Sequence, residues 1–169
     1  MVALALANSS IPDDVLATPA GLASWLAAHH DDLGTSTPEV ALRLGDFRAL
    51  RAAVREAVEA RATGVAVPAD AVRALNEASA AAPTWPVLDA EDPRRPLERT
   101  ETGGGSATAQ ILAAIARSAI QLVGSGERLR ICPARRCGRV FGATRATQVW
   151  CSPACGNRTR VARHHARRA

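Results

Sequence analysis

All four cysteines of the 169-residue chain lie in one short window near its C-terminal end. Cys132 and Cys137 have four residues between them, thirteen residues follow, and Cys151 and Cys155 have three between them. Two closely spaced cysteine pairs separated by such a loop are typical of a structural zinc site. Four thiolates complete a tetrahedral shell around Zn²⁺ and leave no position for water, so the site stabilises structure and does no chemistry. The sequence therefore predicts one structural Zn²⁺ per chain, bound by these four cysteines.

Two disulfide bonds are the first alternative for the same four residues. Disulfides need an oxidising compartment, and the N-terminal residues lack the charged n-region and the long apolar h-region of a secretory signal. We therefore expect a cytoplasmic protein with reduced thiols. Four unrelated buried thiols are a second alternative, which the close clustering disfavours.

Charge is divided unevenly along the chain. Residues 1–127 contain ten Arg and 16 acids, a net charge of −6, whereas residues 128–169 contain eleven Arg and no acid, a net charge of +11. The chain has no Lys, and a GC-rich genome would explain Arg in place of Lys but not the position of the acids. A block of one sign this concentrated is typical of a surface that binds a polyanion.

The second cysteine pair is predicted to lie at the start of a basic helix. Cys151 and Cys155 are four residues apart, so on a helix both thiols face one side. Beyond them Arg recurs at i, i+3 and i+7, and guanidinium groups bind phosphate oxygens bidentately. A solvated basic tail is the alternative, and residues beside Cys155 could instead orient its thiolate. The predicted contacts with double-stranded DNA are Asn157, Arg158, Arg160, Arg163 and Arg167.

The C-terminal motif resembles the CGNR-type zinc fingers. Such fingers end a family of bacterial, often actinobacterial, proteins described as stress-induced transcription regulators, which have an N-terminal ABATE domain. The resemblance implies DNA binding by the finger and either ligand sensing or assembly by the N-terminal domain. Besides DNA, it leaves open a small-molecule ligand and a homodimer as partners. The residues that carry it are Cys132, Cys137, Arg139-Val140-Phe141 and the run Trp150-Cys151-Ser152-Pro153-Ala154-Cys155-Gly156-Asn157-Arg158.

Two segments depart from the family pattern. The apolar run of the ABATE domain usually ends in Asn-Thr, where Asn8-Ser9 stand here, and Ala5 replaces an expected acid. A ligand role for that acid is therefore not expected in this chain. The loop before Trp150 keeps only Arg145 of the Ser and Arg residues common there, so DNA contacts from the loop are expected to be weakened or absent.

The helices and strands that the sequence predicts around these residues indicate a mainly α fold. Residues 1–126 are expected to form a helical ABATE-like domain, and residues 127–169 a small treble-clef-like finger with a basic C-terminal helix. Residues 2–11 could be a strand or a helix, and residues 83–105 a β-hairpin or a loop. Helices are predicted at about 19–30, 37–63, 68–82 and 107–123, hairpin arms at 84–88 and 97–102, and finger strands at 129–131 and 139–141.

Local signals complete this prediction. Gly64 and Ser106 are expected to cap helices, and Gly45-Asp46 to interrupt the helix at 37–63. Arg51, Arg55 and Glu56 are interpreted as a solvated face. The joint at residues 124–126 is Gly-rich and links the two predicted domains.

Three classes of function were compared. No phosphate-binding loop, open metal site or catalytic constellation is evident, so the chain is not expected to be an enzyme. No stretch is expected to reach the length of a membrane span. A DNA-binding transcription regulator is the main prediction, and a zinc-stabilised protein-interaction module without DNA binding is the alternative.

Overall fold

The structure is a computed structural model that describes residues 1–34, 38–92 and 94–166. Within these ranges it has eight α-helices, one 3₁₀ turn and two two-stranded antiparallel hairpins, which confirms the mainly α fold class. The elements in chain order are α1 Val2–Ala7, the 3₁₀ turn Val15–Ala17, α2 Pro19–Ala28, α3 His30–Leu33, α4 Pro38–Ala41, α5 Leu44–Thr63, α6 Ala69–Ala80, β1 Thr84–Asp89, β2 Leu97–Thr102, α7 Ala107–Gly124, β3 Leu129–Ile131, β4 Val140–Gly142 and α8 Pro153–Ala166.

Helix α5 is the centre of the N-terminal core. Its apolar residues recur at helical spacing, and Phe47, Val54 and Val58 are fully buried. Helices α1, α6 and α7 pack against it, and the short strand β3 contacts it from the finger. The segment at residues 2–11, which periodicity left undecided, begins with helix α1, because Leu6 is buried in this core.

The cap signals are confirmed at two helix ends. Gly64 has φ +75°, the left-handed conformation that favours glycine, and its N–H donates to the carbonyl of Ala60. The hydroxyl of Ser106 accepts from the N–H of Ala109 at the start of α7.

The helix predicted at 37–63 is interrupted earlier than expected. It is divided at Leu42 and Arg43 into α4 and α5, while Gly45 and Asp46 lie inside α5. Arg43 forms an ion pair with Asp46 across this junction. Thr37, the predicted start, lies outside the described residues.

The segment at 83–105 contains the predicted hairpin. Strands β1 and β2 pair from Thr84↔Thr102 to Asp89↔Leu97. Pro93, at the predicted turn, lies outside the described residues. The hairpin joins α6 to α7 and has few contacts with the helical core.

Helix α7 is long and apolar enough to cross a membrane by length and composition alone, contrary to the expectation that no stretch would be. Core helices of globular proteins meet the same criterion. Ile111, Ile115, Ala119 and Leu122 are buried here, and α7 packs against α5 and α6. We therefore assign it as a core helix.

Candidate metal centre and basic helix

The four cysteine side chains converge at one point. All four Sγ atoms lie within 4.8 Å of one another. The Sγ of Cys137 lies 3.7 Å from that of Cys151 and 3.8 Å from that of Cys155. A tetrahedron with zinc–sulfur bonds of about 2.3 Å has edges of about 3.8 Å, so these separations fit a zinc ion. The thiols are free, with no disulfide among them. This arrangement is consistent with one structural zinc.

The first cysteine pair lies in a tight turn between β3 and β4. The N–H of Cys132 donates to the carbonyl of Arg139 at 2.8 Å, and the N–H of Cys137 donates to Ala134 at 2.9 Å. Arg136 and Gly138 have φ values of +61° and +63°, which reverse the chain tightly on either side of Cys137. The turn therefore directs both thiols toward the second pair.

The second pair lies at the beginning of α8, as predicted. The helix starts at Pro153, so Cys151 precedes it and Cys155 lies in its first turn. The N–H of Cys155 donates to the hydroxyl of Ser152 at 3.3 Å. The Ser-Pro pair thus starts the helix and fixes the position of one thiol.

The electrostatics of the thiols differ within the cluster. Burial raises the pKa of Cys151 to about 12 and also raises the pKa of Cys137. The hydroxyl of Ser152, aided by the guanidinium of Arg158, lowers the pKa of Cys155 to about 6. Cysteine binds zinc as the thiolate, so metal binding would release protons from this cluster.

The four residues from Cys155 to Arg158 have separate structural roles. A Cβ atom added at Gly156 would lie 3.3 Å from the Trp150 ring, a tight contact that the indole would have to relieve by a small shift. Asn157 accepts a hydrogen bond from Arg160. Arg158 donates to the Sγ of Cys155 at 3.2 Å. Trp150 packs beside the cysteines.

Comparison with protein families agrees with this geometry. Residues 1–126 match the ABATE family model, described as "Putative stress-induced transcription regulator", and residues 128–168 match the model of the CGNR zinc finger. The chain belongs to the ABATE family. Neither family description names an enzymatic activity. The search of curated proteins found no match.

In this ABATE family member the finger hairpin is part of the main core. Leu129 of β3 and Val140 of β4 are 5% and 1% exposed and belong to the cluster formed by α1, α5 and α7. The next residue, Phe141, points to the opposite face, as alternation along a strand requires, and packs with the cysteines. One short strand thus joins the apolar core to the metal centre.

Polar contacts reinforce the same junction. The side-chain amide of Asn8 donates to the carbonyl of Val140 at 2.8 Å, and its oxygen accepts from the Val140 N–H at 3.0 Å. The guanidinium of Arg139 donates to the carbonyl of Ile11 at 2.9 Å. The resemblance singled out Asn8 by its place in the sequence, and the structure shows that it pairs with the outer edge of β4.

The interpretation of Arg51 and Arg55 as a solvated face is wrong. Their side chains are only 16% and 24% exposed. Arg51 forms an ion pair with Asp14 at 2.5 Å, and Arg55 pairs with Glu59 while donating to the carbonyl of Gly138 at 2.8 Å. These long side chains reach groups distant in sequence, which helical periodicity does not reveal. Glu56 is exposed, as expected.

The residues predicted to contact DNA are placed differently from one another. Arg160 and Arg163 are exposed on α8, and among the described residues no ion-pair partner reaches either side chain. Arg158 contacts the metal centre, which favours the interpretation that it orients a thiolate. Asn157 is exposed beside Arg160. Arg167 lies outside the described residues.

Proposed function

We propose that this protein is a cytoplasmic bacterial transcription regulator that binds double-stranded DNA through its finger. Residues 1–126 form the domain that senses a ligand or mediates assembly, and residues 127–169 form the DNA-binding domain. Cys132, Cys137, Cys151 and Cys155 are the ligands of its structural Zn²⁺. Membership of the ABATE family supports a regulator at a general level.

The exposed basic surface of α8 carries the DNA-binding part of this proposal. From Asn157 to Ala166 every residue except Thr159 is exposed, and all charged groups in this stretch are basic. An exposed helix of this charge suits the phosphate backbone of a duplex. No acidic side chain follows Glu127 in the sequence, so none lies on α8 beside its arginines.

The metal would contribute to DNA binding indirectly. Bound zinc holds the start of α8 against the β3–β4 hairpin, and it leaves no open coordination position. Arg158 stabilises the thiolate of Cys155, while Gly156 keeps Trp150 close to the helix. Arg160 and Arg163 are then free to meet phosphates, because they follow the metal-binding turn on the exposed part of the helix.

Salt dependence of binding tests the proposal. Zinc-loaded full-length protein is titrated with random and with genomic duplex DNA at several salt concentrations. Binding that weakens steeply with salt and is lost on chelation is the expected result, because released counterions drive phosphate contacts. No binding at low salt would contradict the proposal and favour the zinc-stabilised protein-interaction module.

Substitutions on α8 locate the contact. Arg160→Ala and Arg163→Ala should each reduce the salt slope by about one unit. Arg73→Ala is the matched control, since Arg73 is an exposed helical arginine that pairs with Asp70 in the acidic part of the chain. Slopes equal to wild type in both α8 variants would contradict the assignment of these arginines.

The ligand-sensing part of the proposal has a candidate cleft. A cavity of about 400 Å³ lies between α1 and the finger, lined by Ala5 and Asn8 on one side and Phe141 and Ser152 on the other. A molecule bound there would contact both domains and so could change the position of the finger. Titration of Asn8→Ala and wild-type protein with candidate metabolites, followed by thermal shift, tests this: a ligand that stabilises only the wild type supports it.

A further inference from the structure

The β1–β2 hairpin is largely exposed to solvent. Every residue of β2 is exposed, and Leu88 and Leu97 are 74% and 68% exposed. Trp85 of β1 is 44% exposed. An isolated two-stranded hairpin is marginally stable in water, and three or more strands are normally needed. We therefore expect further strands to complete the sheet that this hairpin begins.

The outer edge of β1 is blocked. The N–H of Gly103 donates to the carbonyl of Pro83, so Pro83 and Gly103 form a hydrogen-bonded pair next to the first pair of the two strands. Because hydrogen-bonded and non-hydrogen-bonded pairs alternate, the pair Pro86↔Thr100 is non-hydrogen-bonded. Backbone groups in such a pair point outward, and proline has no N–H to offer there. The middle of β1 cannot pair with a further strand.

The outer edge of β2 is open. The same alternation directs the N–H and C=O groups of Glu98, Thr100 and Thr102 away from β1. Across residues 1–34, 38–92 and 94–166 no backbone hydrogen bond reaches these outward groups. Strand β2 contains no proline or glycine, which would remove an outward N–H or weaken the strand. Its charged side chains, which by themselves discourage edge pairing, are of both signs, so a second strand can pair with them only in a register that matches opposite charges.

We propose that β2 pairs antiparallel with β2 of a second copy of this chain, around a two-fold axis at Thr100. The outward groups of Thr100 then meet those of the second copy's Thr100, and Glu98 of each copy faces Thr102 of the other. The result is a four-stranded sheet in the order β1-β2-β2-β1, whose two outer edges are both blocked by Pro86.

Charge selects this register. With the axis at Thr100, Arg99 of each copy lies opposite Glu101 of the other, which forms two cross-strand pairs of opposite charge. Moving the axis to Arg99 or to Glu101 keeps the hydrogen-bond phase but places two like charges directly opposite each other. Within one chain Arg99 also donates to Glu101 at 3.2 Å, so both groups lie on one face.

The dimer would contain two copies of the basic helix α8, one from each chain. The observations that support the dimer do not depend on DNA binding. A two-fold axis repeats one surface on both copies. It would present two copies of α8 to two half-sites of a palindromic duplex.

A charge-swap experiment on zinc-loaded full-length protein tests the interface. Sedimentation equilibrium should show a reversible wild-type dimer. Arg99→Glu alone places acids at positions 99 and 101 of both chains, and Glu101→Arg alone places bases there. The dissociation constant of each variant's own dimer should therefore rise at least roughly tenfold. An equimolar mixture of the two variants should dimerise again, because the opposite charges then face each other across the axis.

The mixture separates the interface from damage to the hairpin. Each variant has lost its intrachain Arg99–Glu101 pair, and mixing cannot restore that contact. A monomeric wild type, a single variant that dimerises as wild type does, or a mixture that stays monomeric would overturn the proposal.

Thr100→Pro provides a second variant with a different mechanism. It removes the outward N–H on the two-fold axis but no hydrogen bond between β1 and β2, because the pair with Pro86 has none. We expect a monomer with unchanged helical circular dichroism. A dimer of wild-type affinity from this variant would also overturn the proposal.

Discussion

The two hairpins of this protein have opposite relations to the core. The β3–β4 hairpin has only three residues in each strand, yet Leu129 and Val140 are almost fully buried. The β1–β2 hairpin has six residues in each strand, and its β2 strand is entirely exposed. Strand length therefore does not decide which hairpin is well anchored. The short one is fixed by an apolar core on one face and by the cysteine cluster on the other.

This difference in burial shows which hairpin stabilises the finger and the N-terminal helices together. Burial of apolar side chains and satisfied hydrogen bonds join the finger to α1 and α5, whereas β1–β2 is joined mainly to itself. Changes at β3–β4 should therefore spread into the N-terminal helices. Changes at β1–β2 should remain local, apart from their effect on self-association.

Removal of the metal should have the largest effect. Structural zinc stabilises small finger domains by about 10 kcal/mol or more, and Cys155→Ser or chelation should unfold β3, β4 and α8. The sequence alone suggests that the N-terminal helices would be spared, but the burial of Val140 against α1 predicts loss of hydrogen-exchange protection in α1 as well. Hydrogen exchange measured by mass spectrometry, with β1–β2 as the internal reference, checks this. Unchanged protection in α1 would contradict the shared core.

A pair of leucine truncations compares the hairpins directly. Leu129→Ala removes a buried side chain and should lower the free energy of unfolding by about 2–5 kcal/mol. Leu97→Ala removes an exposed one and should change it by no more than about 0.5 kcal/mol. Urea denaturation of both zinc-loaded variants, at concentrations low enough to keep the chain monomeric, measures the two values. Equal costs would show that the two hairpins are equally anchored.

Loss of the Asn8 side chain should have a smaller effect. Asn8→Ala leaves both backbone groups of Val140 without their partner, at a cost of about 1–3 kcal/mol. Asn76→Ala, an exposed change on α6, is the control and should be close to neutral. Thermal unfolding followed by circular dichroism measures both, and a neutral Asn8→Ala would show that the β4 edge does not need this contact.

The ion pair of Asp14 and Arg51 should have the smallest effect, one that is present at neutral pH and disappears in acid. The hydrogen bond from Arg51 holds the pKa of Asp14 below its usual value. Its contribution is therefore present at neutral pH and is lost as pH falls below about 4, through the folded-state pKa. Asp14→Asn keeps an acceptor for the N–H of Leu16 but should remove less than about 1 kcal/mol at pH 7, and this deficit should shrink as acid protonates Asp14 of the wild type. A deficit that does not shrink as pH is lowered through the acid range would exclude the charge as its cause.

Local patterns predicted much of the secondary structure correctly. Gly64 and Ser106 marked helix ends because their backbone and capping chemistry acts within a few residues. The hairpin arms at 84–88 and 97–102 were recognised from strand-forming residues on either side of a proline-containing turn. The break in the helix at 37–63 was displaced by a few residues, since the position of such a break depends on what packs against each turn.

The sequence by itself determined the metal centre. Four cysteines in a single window can come together through short-range turns. The Cys-Gly-Asn-Arg residues lie in the first turns of the helix that begins beside these cysteines. It also determined the separation of charge that leaves α8 basic, because charge is a property of composition. Whether α8 contacts DNA stays a prediction.

Only the tertiary structure decided how the two regions meet. Arg55 reaches Gly138 and Asn8 reaches Val140 across 83 and 132 residues of sequence. No local periodicity encodes such contacts, because they depend on which helix faces the finger after the core has packed. The same holds for Val140 and Phe141. Their adjacent positions in a strand predict that they face opposite sides, but not which of them faces the core and which faces the metal centre. Burial in three dimensions makes that choice.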